Sequence, residues 1–72
     1  MSDPTERQYD PDRLVRLCRE YDGLRTQELA ERMDARRNTT HYRCTVLEKE
    51  GRLESMIYGR GHAARVWYAV DG

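Results

Sequence analysis

The chain has no apolar run near the roughly 20 residues that a membrane-spanning helix needs, and residues 1–13 are too polar and mixed in charge for a secretory leader. Both absences lead to the expectation of a cytoplasmic protein with no membrane partner. There are only two cysteines, Cys18 and Cys44, which is too few for a disulfide framework and lacks the clustered spacing of a zinc site. Catalytic patterns are missing as well. Ser55 has no His and acid in a recognisable motif, and Gly59 and Gly61 lack the sequence and following helix of a phosphate-binding loop. Nothing suggests an enzyme, a cofactor, a metal or a small-molecule ligand, and there is scant room for a dry pocket. Internal repeats and low-complexity tracts are also absent.

What remains is one domain of 72 residues, near the lower size limit for folding without disulfides or metal. With 38% hydrophobic and 36% charged residues the core must be thin. Residues 1–8 read as a flexible N-terminal arm and residues 9–72 as the folded unit.

The formal net charge is zero, but the signs are unevenly placed. The acids of the second half are Glu48, Glu50, Glu54 and Asp71, which leaves 35–47 and 55–70 without any. Such local asymmetry is a better guide to a phosphate-binding face than the total, although segregation on a solvated surface gives the same pattern. Lys49 is the only lysine among thirteen basic residues. Arginine suits bidentate contact with phosphate and guanine; coding bias in a GC-rich genome accounts for the preference equally well.

Asp10-Pro11 opens a first helix, with Asp as N-cap and Pro at N1. Tyr9 and Leu14 stand at the positions of a hydrophobic staple. Leu14, Leu17, Cys18 and Tyr21 recur at helical spacing as its buried stripe, and Asp22-Gly23 ends it. Thr26 is expected to cap a second helix carrying Leu29, Ala30 and Met33 inward. Met33-Asp34-Ala35 is a turn. A third helix over about 36–50 places Thr40, Cys44 and Leu47 on one face and Arg36, Arg37, Asn38, His41, Tyr42 and Thr45 on the other, with Gly51 at C′. The period then becomes alternating: Leu53, Ser55 and Ile57 face one way, Glu54, Met56 and Tyr58 the other. A Gly-rich turn at 59–63 leads into a strand over Arg65–Val70. Val66, Tyr68 and Val70 are expected to face the helices, leaving Trp67 outward.

The segment Glu28–Met33, the ending Leu47-Glu48-Lys49-Glu50-Gly51 and the hairpin after it resemble the winged helix-turn-helix family of transcription regulators, over about Asp10 to Val70. Two positions depart from its pattern. Asp34 stands where the turn usually has Gly, and Arg52 stands where an apolar residue is common. The resemblance implies an α+β fold of three helices plus a C-terminal two-stranded β-hairpin wing. It also implies double-stranded DNA as partner, with the third helix in the major groove.

On that reading the DNA-contacting residues are Arg36, Arg37, Asn38, His41, Tyr42 and Thr45 on the helix, Arg60 and His62 at the wing tip, and Arg65 at the wing base. Arg and Asn are the types that pair bidentately with guanine and adenine. Trp67, if outward, is a partner-binding residue; a one-residue slip of register would bury it instead. A homodimer is expected, since paired half-sites multiply affinity. Two other functions fit the same pattern: a winged-helix module that binds protein, and an accessory DNA-bending protein of a mobile element.

Overall fold

The structure, a computed structural model, describes residues 9–60 and 64–70. Helix α1 spans Pro11–Glu20, strand β1 Leu24–Arg25, helix α2 Thr26–Arg32, helix α3 Arg37–Lys49, strand β2 Leu53–Tyr58 and strand β3 Ala64–Ala69. The fold class is α+β, with three helices and a three-stranded antiparallel sheet in the order β1-β3-β2 among the described residues. The expected hairpin is present, but the sheet has a third strand. Leu24 and Arg25, between the first two helices, pair with Trp67 and Val66 of the inner strand β3. None of the helices described is long and apolar enough to cross a membrane.

All three helices end in the same way. The residue two beyond each cap donates its N–H back to a carbonyl of the last turn: Gly23 to Cys18 at 2.9 Å, Ala35 to Ala30 at 2.9 Å and Arg52 to Leu47 at 2.9 Å. This Schellman closure requires a left-handed residue in between. Asp22 and Asp34 take that position with φ of 54° each, and Gly51 with φ of 82°. Asp34 therefore does what a glycine would do at the turn, as a short polar side chain can.

The helix starts differ more from expectation. Asp10 caps α1 as anticipated, accepting from the Asp12 N–H at 2.9 Å. Thr26 does not cap α2. It is the first residue inside the helix, Arg25 takes the cap position, and the Arg25 N–H donates to Glu28 Oε1 at 2.9 Å. Thr26 is buried, and its hydroxyl accepts the Trp67 indole N–H at 2.8 Å.

Trp67 is the main correction. It is fully buried and cannot be a partner-binding residue. Pairing of β2 with β3 sets Leu53 opposite Ala69 and Ser55 opposite Trp67, while β1 sets Leu24 opposite Trp67. Leu53, Leu24 and Trp67 thus share the inner face and join Leu14, Val15, Cys18, Leu29, Met33, Cys44 and Leu47 in one core. Val66 and Tyr68, expected inward, lie on the other face against Gly23. The α1 stripe is also shifted: Leu14, Val15 and Cys18 are buried, Leu17 is partly so, and Tyr21 is exposed beneath the Arg32 guanidinium. The staple residue Tyr9 packs against the core and carries the Arg43 guanidinium 3.9 Å above its ring.

Arg52 forms an ion pair with Asp12, and its carbonyl accepts the Val70 N–H at 3.0 Å. Its polar head is thereby used to join the start of β2 to the first turn of α1. That accommodates a charged residue where an apolar one is common.

Candidate nucleic-acid interface

Helix α3 has no acidic residue in its first turn, and Arg36, Arg37, Asn38, His41 and Tyr42 are all exposed along it. Inward packing of Thr40, Cys44 and Leu47 forces this arrangement, because burying one face of a helix turns the intervening positions outward. Thr45 is half-buried, and its hydroxyl donates to the His41 carbonyl at 2.9 Å.

Three of the expected contact residues come together. Arg37 and His41 of α3 and Arg65 of β3 line one open cleft, whose remaining walls are Arg25, Thr26, Gln27 and Ala64. Three arginines thus converge, and among the described residues no carboxylate lines the cleft. Arg25 and Gln27 were not anticipated. They flank Thr26 at the exposed start of α2, a place where polar residues next to a helix N-terminus could have drawn attention.

The cleft has an ordered floor. The His41 ring meets Trp67 edge-on, with centroids 5.9 Å apart, and the Arg65 guanidinium lies 5.5 Å from the Trp67 ring. Arg65 also donates to Ser55 Oγ at 3.2 Å, and Ser55 donates in turn to Glu48 Oε2 at 2.7 Å. The buried tryptophan therefore supports two of the cationic or polar groups that face solvent, and Thr26 fixes the tryptophan. Preorganisation of this kind reduces the entropy lost when a side chain meets a ligand.

The other expected residues are placed elsewhere. Arg36, the N-cap of α3, borders a separate hollow with Asp34, Ala35 and Thr39. Tyr42 lies beside Tyr9, Thr39, Arg43 and Val46. Arg60 is exposed just past the end of β2. His62 lies outside the described residues, as do most of the proposed wing tip and the N-terminal arm.

Cys18 and Cys44 are both buried free thiols. Burial pushes each up to about 12, so neither is a thiolate near neutral pH. Among the described residues, no group of three His, Cys, Asp or Glu side chains is arranged to hold a metal ion.

No protein-family model matches the chain, and no curated protein matches it.

Proposed function

We propose that the chain is a small DNA-binding regulator of winged helix-turn-helix type. Helix α3 would enter the major groove, and the β2–β3 hairpin would lie along the backbone or minor groove. The observation that carries this reading is the acid-free cleft in which α3, the start of α2 and β3 bring Arg25, Arg37, His41 and Arg65 together. A concave site lined by guanidinium groups from three elements suits a phosphate that one element alone could not enclose. Beside it, Asn38 and Arg36 stay exposed at the start of α3, where base edges would be read.

Titration of labelled duplex DNA by fluorescence anisotropy tests the reading. If Arg25, Arg37 and Arg65 each neutralise one phosphate, raising salt fourfold lowers affinity by about 40-fold through counterion release. Replacing Arg37 with Ala should weaken binding to all sequences alike and lower the salt slope by about 1. Affinity that ignores both salt and the Arg37 substitution would sink the proposal and favour a protein partner.

A further inference from the structure

Among the described residues strand β2 forms an edge of the sheet, and its side chains from Met56 to Tyr58 are exposed. Met56, Ile57 and Tyr58 are 53%, 59% and 48% exposed there. Natural edge strands are guarded by lysine, proline, inward charge or a bulge. From Ser55 to Tyr58 this strand has no charged residue or proline, and its pairing with β3 runs without a bulge. An unguarded edge carrying consecutive exposed apolar residues is a surface built to be covered.

We propose that this edge is covered by the same edge of a second copy, with the two β2 strands pairing antiparallel about a two-fold axis at Ile57. Charge complementarity selects both the occupant and the register. An axis at Ile57 sets Ile57 against its own copy, Met56 against Tyr58 twice, and Glu54 against Arg60 twice. Apolar contacts then lie at the centre, with opposite charges at both ends. An axis at Met56 would instead oppose Arg52 with Arg60, a like-charge contact. An axis at Ser55 would oppose Glu54 with Met56, leave Glu54 without an opposite charge and carry Arg60 past the strand to the level of Glu50. Gly59, with φ of 93°, ends the strand, so the long Arg60 side chain makes the final step to Glu54. The result is an isologous dimer with one continuous six-stranded sheet and the helices of both copies on the same side. It does not rest on DNA binding.

An edge contact of this length buries less than a standard interface of about 1,600 Å². The association is therefore weak, and sedimentation velocity without DNA should span about 10 µM to 1 mM. The expected result is a shift from monomer to dimer across that range. Ile57→Lys and Glu54→Arg should each hold the chain monomeric, and Glu54→Arg with Arg60→Glu should restore the dimer. All three side chains are exposed, and circular dichroism checks that the variants keep the fold. A wild-type chain that stays monomeric throughout overturns the proposal. So does a dimer indifferent to both single substitutions, or one that the double substitution does not recover.

Discussion

Trp67 is the residue on which the most depends. Its indole ring fills the core, its N–H is taken by Thr26, and its ring lies against His41 and Arg65. Replacing Thr26 with Val keeps the shape but leaves a buried indole N–H without an acceptor, at a cost of about 1–3 kcal/mol. Trp67→Phe removes the donor as well as part of the packing. Combined with Thr26→Val it should cost less than the two separate losses, with a coupling of about 1 kcal/mol by urea denaturation. Full additivity would show that the hydrogen bond contributes nothing. Thr40 presents the opposite case. Its hydroxyl is buried without a hydrogen-bond partner among the described residues, on the face of α3 that packs inward. Thr40→Val keeps the β-branch and removes the unsatisfied oxygen, so it should raise stability by about 1 kcal/mol. A loss of similar size in the same denaturation experiment would refute that.

Elements were legible wherever their signals are local. The ends of the helices follow from single residues: Asp22, Asp34 and Gly51 each adopt the left-handed conformation that closes a Schellman motif. A sharp test follows from the chemistry of the positive-φ residues at these helix ends. Asp34→Gly should stabilise by about 0.5–1 kcal/mol, because glycine takes this conformation without a Cβ clash. Gly51→Ala should cost about 1 kcal/mol, since a Cβ there meets nothing within 4 Å and only the backbone is strained. Gly23→Ala should cost more, about 3 kcal/mol, because its Cβ would lie 2.5 Å from the Tyr68 ring as well as at positive φ. Equal losses at Gly23 and Gly51 in thermal melts would show that the close approach of Tyr68 yields freely. Strand orientation was not legible, because it depends on partners far away in sequence. On β3 the set Val66, Tyr68 and Val70 is the more uniformly apolar, so alternation alone turned it inward. The register against Leu53 and Leu24, together with the acceptor offered by Thr26, turns the larger Trp67 inward instead. Thr26 was misread for a related reason: a threonine before a helical run has the same local signature whether it caps the backbone or reaches a distant indole.

The whole molecule explains why the candidate site was only half visible. Arg37, His41 and Arg65 stand in acid-free stretches, whereas Arg25 and Gln27 belong to the acid-rich first half, where their charge and polarity are averaged away. Only folding brings 25–27 beside 37–41 and 64–65. The same folding encloses Cys18 and Cys44 in a single core, and that gives the molecule a characteristic response to alkali. Both thiols move from an ordinary value of 9.0 to about 12 because burial penalises the thiolate; for Cys44 the neighbouring Cys18 and Glu48 push the same way. Tyr68 shifts from 10.0 to about 12, chiefly through its 2.6 Å hydrogen bond with Tyr58. In all three the folded pKa is raised, so between about pH 9 and 12 the folded chain keeps protons that the unfolded chain releases. The stabilisation they give is complete below about pH 9 and is lost as pH rises towards about 12. Urea midpoints should therefore hold level from pH 7 to about 8.5 and then fall steadily. Iodoacetamide should modify Cys18 and Cys44 at a rate that tracks unfolding and not the free-thiol rate. Rapid modification of either cysteine under native conditions at pH 8 would place that thiol outside the core, and with it the helix face that positions Arg37 and His41.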